Sequence, residues 1–209
     1  MVRLAEQIHA KFQAREGAEQ IASLWALEGL EAWLTDNPPE RVLEVGAGIG
    51  TVSELLGHYC RLSEFVVCVE DDPWCRTKWG HNVWPIPPAM HLYDKVPLYE
   101  QPFDLIVLDG PQMPPDGWHL LARGGTVFVE GNRRGQRAEM LAGLRRAGRR
   151  AVQVPSKPPD RSKGYWLVLA EPELWELLWA AWQNCRENWY DFKARLRGRP
   201  IGKKRTERA

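Results

Sequence analysis

The sequence predicts an α/β domain, and three observations carry that prediction. Residues 41–56, RVLEVGAGIGTVSELL, pass from branched apolar residues (Val42, Leu43, Val45) through a glycine-rich turn into a helical pattern. Two further short apolar runs, residues 65–70 (FVVCVE) and 103–109 (FDLIVLD), each read as a buried strand that ends in an acid. The length, 209 residues, suits one α/β domain with a sizeable core.

The elements follow in chain order. The first 35 residues read as helix, with Ile21, Leu24, Trp25, Leu27, Leu30, Trp33 and Leu34 near helical period. Asn37-Pro38-Pro39 stops that helix just before the first strand. In the turn, Gly46, Gly48 and Gly50 let the chain fold tightly and bring bare backbone close to a ligand. The N–H groups that open the next helix can meet a ligand's polar or negative end. Glu44 lies inside the apolar strand, where a carboxylate is costly unless it has a donor to hold.

After the second strand come Glu70, Asp71 and Asp72. They can accept ribose hydroxyls, cap the following helix, or divide both tasks among them. A third strand is expected around residues 83–86, in a proline-rich stretch with little regular pattern. Residues 125–130 (GTVFVE), after LLARG, and residues 163–171 (KGYWLVLAE) read as later strands. Residues 172–196 form a tryptophan-rich helix, and residues 197–209 a basic tail of the kind that is usually flexible.

A dinucleotide site would carry G-x-G-x-x-G, but here the three glycines alternate and Thr51 takes the place of the third. The pattern E-x-G-x-G-x-G, from Glu44 to Gly50, instead resembles motif I of the class I S-adenosylmethionine-dependent methyltransferases. The likeness extends over residues 19–171 and includes the L-x-x-G-G turn before residues 125–130. It implies a Rossmann-like seven-stranded, mostly parallel sheet with an antiparallel last strand and helices on both faces. The domain would span residues 1–171, followed by the helix of 172–196 and the tail of 197–209.

The resemblance also implies site roles, with S-adenosylmethionine as cofactor. Glu44, Gly46, Ala47, Gly48, Gly50 and Thr51 would hold its amino-acid end, and Glu70 its ribose, with Asp71 beside it. Asp94 is the nearest acid for the adenine amine. Asp109, ending the strand that resembles motif IV, would stand beside the transferred methyl group.

Composition limits the alternatives. The net charge of +1 shows no global bias toward polyanions, and no apolar run approaches the ~20 residues that span a bilayer. The first residues, MVRLAEQIHAKFQ, are too polar for a signal peptide, and the four cysteines lack C-x-x-C spacing. A reducing cytoplasm is therefore expected. Seven arginines between 133 and 150 read as a solvated helix face or, for Arg133 and Arg134, as phosphate contacts. Two stripes in the carboxyl-terminal helix, one from Trp175 to Trp189 and one from Leu174 to Cys185, read as core or as a homo-oligomer contact, with base or sugar stacking as the alternative.

The residues after Asp109, D-G-P-Q, lack the aromatic of the (D/N)-P-P-(Y/F/W) pattern with which nucleic-acid amino methyltransferases hold an extruded base. They look more like O-methyltransferases acting on small molecules or sugars. Catechol-type members add a metal ion held partly by an Asp-Asn pair. Asp109 and Asn132 fall at two such positions, but Gly131 replaces the other aspartate, and Glu130 is expected to face away. No metal is expected.

Asp109 is the candidate base or orienting group, with His119 and His81 as unranked alternatives. Three other readings remain: a non-catalytic binding protein of this fold, a nucleic-acid-directed methyltransferase using the basic surfaces, and an aminopropyl transferase lacking its second aspartate.

Overall fold

The computed structural model describes residues 3–59, 65–83, 85, 87, 89–97, 101–110, 113, 116–131, 133–156 and 164–196. In chain order the elements are α1 (Leu4–Gln13), a 3-10 turn (Ala18–Gln20), α2 (Leu24–Asp36), β1 (Arg41–Val45), α3 (Thr51–Tyr59), β2 (Phe65–Val69), α4 (Pro73–Asn82) and β3 (Met90–Tyr93). Then follow β4 (Phe103–Leu108), a second 3-10 turn (Gly117–Leu120), β5 (Leu121–Glu130), α5 (Arg134–Arg146), β6 (Ala151–Ser156), β7 (Tyr165–Ala170) and α6 (Leu174–Leu196).

The strands form one seven-stranded sheet in the order β3-β2-β1-β4-β5-β7-β6. Pairing is parallel from β3 through β5, and β7 runs antiparallel to both β5 and β6. Side-chain alternation along each central strand feeds two apolar layers. Val42, Cys68, Leu105, Val107 and Phe128 face one side, under α1 to α4 and α6. Leu43, Val67, Ile106, Leu108 and Val127 face the other, under α5.

Helix α2 shows how the first layer is held. Leu27, Leu30 and Leu34 are buried at helical spacing, and each contributes about 2 kcal/mol by leaving water. The Ser23 hydroxyl accepts the Ala26 N–H at 3.3 Å, a cap of about 1 kcal/mol. Burial therefore dominates. Helix α4 has a stronger start, with Pro73 in its first turn and the Asp72 carboxylate accepting the Cys75 N–H at 2.8 Å.

Two expectations are corrected. The first 35 residues are not one helix, because Gly17 adopts a left-handed φ of 89° and separates α1 from the turn leading to α2. The third strand is Met90–Tyr93, not residues 83–86. Val83 instead closes α4 as its C-cap. Prolines lack the N–H donor that a strand needs, and pairing starts once Pro85 and Pro87 are passed.

Cys68 and Cys75 are buried free thiols and Cys185 an exposed one. The basic tail of residues 197–209 lies outside the described residues. Among the described residues no helix is long and apolar enough to cross a membrane.

Candidate active site

The carboxyl ends of three neighbouring strands are tied together by backbone bonds. The Gly46 and Ala47 N–H groups both donate to the Val69 carbonyl, at 2.8 and 3.0 Å. The Asp109 and Gly110 N–H groups both donate to the Val45 carbonyl, at 2.9 and 2.8 Å. This stitching sets Glu70 on one side of the glycine turn and Asp109 on the other.

Gly46, Gly48 and Gly50 all adopt positive φ, at 86°, 54° and 104°. Only glycine takes such angles without strain. At Gly46 the requirement is also one of space, since a Cβ there would lie 2.2 Å from the backbone of Gly110.

Strand alternation brings four acids to this edge on one face. Glu44, Glu70, Asp109 and Glu130 share the side of Val42, Cys68, Val107 and Phe128. Glu70 is buried, and its two carboxylate oxygens accept the Gly48 N–H at 2.7 Å and the Asp72 N–H at 3.0 Å. The same carboxylate therefore shapes the glycine turn and the entry to α4.

Glu44 is fully buried. Its Oε2 accepts the Ser53 hydroxyl at 2.6 Å, and Ser53 Oγ in turn accepts the Trp79 indole N–H at 2.7 Å. Its Oε1 is buried with no hydrogen-bond partner among the described residues. Burial pushes the carboxyl up to about 7 and the Glu70 charge adds to that, while hydrogen bonds from Ser53 and Cys68 oppose it.

Asp109 is largely buried too, and it faces a cation. Arg133 Nη2 lies 3.1 Å from Asp109 Oδ1 and also donates to the Asp109 carbonyl. Gln136 Nε2 donates to the Gly110 carbonyl at 2.9 Å, so the start of α5 holds both residues that follow β4. Burial and the Glu130 charge nevertheless push Asp109 up to about 8, outweighing Arg133. Glu130 is buried with an unpartnered Oε1, and Arg133 Nε is buried and unpartnered as well.

Glu130 therefore corrects an expectation. It faces the Asp109 side of the sheet, because β5 continues in register to its last residue. Arg133 is corrected as well, since its guanidinium turns inward to Asp109 and is not presented as a surface contact. Arg137 is buried, bonds Gln153 at 2.5 Å and stacks 3.7 Å from the Trp166 ring. Arg149 donates to the carbonyls of Leu121 and Ala122. Arg134, Arg145, Arg146 and Arg150 remain exposed. A buried carboxylate needs a donor, and that was the available signal for Arg133.

The other residues fall as follows. Ala47 and Thr51 are buried in the turn and at the start of α3, and Thr51 Oγ1 has no partner among the described residues. Asp71 is exposed beside Glu70, and Asp94 is exposed immediately after β3. His81 ends α4 and His119 lies in the second 3-10 turn, its Nδ1 against the Asp116 carbonyl. Both histidines are exposed. Asn132 lies outside the described residues, among which no group of three or more His, Cys, Asp or Glu could hold a metal ion.

No protein-family model matches the chain, and no curated protein does. Solved structures do. The chain is similar to the O-methyltransferase TomG of tomaymycin synthesis from Streptomyces achromogenes, solved with S-adenosylmethionine, at 18% identity and TM-score 0.53, covering 80% of this chain and 88% of that one. Cofactor-bound Rv0187 from MTB is 18% identical with TM-score 0.56, over 81% and 88%. The S-adenosylhomocysteine-bound methyltransferase PaMTH1 from Podospora anserina is 17% identical with TM-score 0.56, over 80% and 88%. With the sheet order, these matches identify the fold as that of the class I S-adenosylmethionine-dependent methyltransferases.

Proposed function

We propose that the protein is an S-adenosylmethionine-dependent methyltransferase that methylates a hydroxyl of a small molecule or sugar. The observation that carries this reading is the glycine turn between two buried acids, one of which, Glu44, keeps an oxygen without a partner. A buried carboxylate that is half satisfied and raised toward neutrality suits a cationic ligand. The cofactor carries an ammonium and a sulfonium, so the donor set fits.

The residues divide the work by position. Glu44 and the backbone of Gly46, Ala47, Gly48, Gly50 and Thr51 hold the amino-acid end, assisted by the amino-terminal dipole of α3. Glu70 accepts the ribose hydroxyls while keeping its bonds to the Gly48 and Asp72 N–H groups, with Asp71 beside it. Asp94, at the end of the neighbouring strand, takes the adenine amine. When bound, the sulfonium supplies an electrophilic methyl group.

Asp109 takes or orients the acceptor's proton. A carboxyl raised to about 8 is near the operating pH at which a general base works best. Arg133 fixes its orientation and limits how far it rises. No metal is assigned.

The inward turn of Arg133, with Arg137 and Arg149, withdraws three cations from a polyanion surface. That favours a small acceptor over nucleic acid. The name of TomG, an O-methyltransferase, points the same way.

The test is transfer of an isotopically labelled methyl group from the cofactor to a panel of phenols, catechols and sugars, without added metal, with products read by mass spectrometry. An ether product, and its loss in Asp109→Asn, is expected. Label recovered only on nitrogen, or only on nucleic acid, would overturn the assignment of acceptor.

A further inference from the structure

Helix α6 carries an apolar seam on the side facing away from the sheet. Its inner face docks on β6, where Ala180 is fully buried and Asn184 Nδ2 donates to the Gln153 carbonyl at 2.9 Å. On the outer face, Trp175, Leu178, Trp182 and Trp189 are exposed at 63%, 64%, 57% and 54%, and Cys185 is exposed as well. Their spacing is 3-4-3-4, and the sequence continues it with Phe192. That 3-4 spacing over two heptads is one a helix uses to pair with another helix.

We infer that α6 is a self-association surface, on which the helix pairs antiparallel with α6 of a second copy of this chain. Two observations choose the second copy and its direction.

The first is size. Antiparallel pairing sets Trp182 opposite Cys185 and Leu178 opposite Trp189, so these layers match a large side chain with a smaller one. A parallel pair would stack tryptophan on tryptophan in three layers.

The second is area. With Leu174 and Trp179 at its edges, exposed at 74% and 37%, the patch presents roughly 700 Å² of apolar side chain. That exceeds the largest patch of a typical monomer, about 300–600 Å², and is close to the ~800 Å² per partner of a stable interface.

The experiment is sedimentation equilibrium of the full chain in reducing buffer, so that Cys185 contributes no disulfide. A mass twice the 24.0 kDa of one chain is expected. Trp182→Glu, at an exposed position, should keep the circular dichroism spectrum and weaken the dimer at least ~100-fold. Spin labels on Glu173→Cys, with Cys185→Ser, should lie about 30 Å apart across the dimer, since at 1.5 Å per residue the antiparallel register puts the two helix starts at opposite ends. A monomer at tens of micromolar, or a dimer indifferent to Trp182→Glu, overturns the interface. A dimer lost with Trp182→Glu in which those labels lie close together overturns the antiparallel direction.

Discussion

Glu44 and Asp109 are carboxyls that the fold holds near neutrality at about 7 and about 8. A cationic ligand favours their ionised forms, so it must displace their protons when it binds below those values. The affinity for S-adenosylmethionine is therefore expected to rise as pH climbs from about 6 to about 8 and to level off above that. S-adenosylhomocysteine, which lacks the sulfonium charge, should show a shallower rise. Calorimetry in two buffers of different ionisation enthalpy reads the released protons directly, and equal slopes for the two ligands would contradict a role for Asp109 toward the sulfonium.

Glu70→Ala is expected to weaken cofactor binding by more than ~10-fold, the loss of one or two charge-assisted bonds. Unchanged affinity in the folded variant would remove Glu70 from the site. Asp109→Asn should lower kcat by ~100-fold or more, which steady-state kinetics with a cognate acceptor reads, and should flatten the pH dependence of S-adenosylmethionine affinity.

The elements nearest the site were the most legible in the sequence. Strands β1, β2, β4 and β7 are nearly continuous apolar runs, because both faces of each are covered. The edge strands differ. MHLY in β3 alternates buried with more exposed residues, and AVQVPS in β6 includes a proline tolerated at an edge, so neither stands out from a loop. The break after α1 depends on a single glycine in a polar stretch. At the site, Glu44, the glycines and Glu70 were readable because they are local to two strand ends. The pairing of Asp109 with Arg133 and the approach of Glu130 join separate elements, and no local pattern encodes them.

The glycine turn gives a sharp element-scale prediction. Gly46→Ala places a Cβ 2.2 Å from Gly110 and should cost roughly 3 kcal/mol or more. Gly48→Ala, where the nearest atom is the Gln20 carbonyl oxygen at 3.2 Å, should cost only about 1–2 kcal/mol, from φ alone. Urea denaturation of the two variants checks the order, and equal losses would mean that close approach to Gly110 is not what requires glycine there.

At the scale of the whole molecule, the acid-rich edge sets the pH dependence of stability. A carboxyl raised by burial binds its proton more tightly when folded than when unfolded. Between its ordinary and its raised value the native state therefore holds more protons, and stability falls as pH rises. Glu44 and Asp109 place that window at about pH 4 to 8. The ligand-free protein should lose a few kcal/mol across it, and Glu44→Gln should flatten the slope and raise Tm at the alkaline end. A Glu44→Gln variant with an unaltered slope would mean that Glu44 is ionised in the folded protein. The measurement closest to the central claim is calorimetric titration of the wild-type chain with S-adenosylmethionine. Micromolar binding at one site per chain, lost in Glu70→Ala, is the predicted result. A folded protein that binds neither S-adenosylmethionine nor S-adenosylhomocysteine at any pH within that window would contradict it.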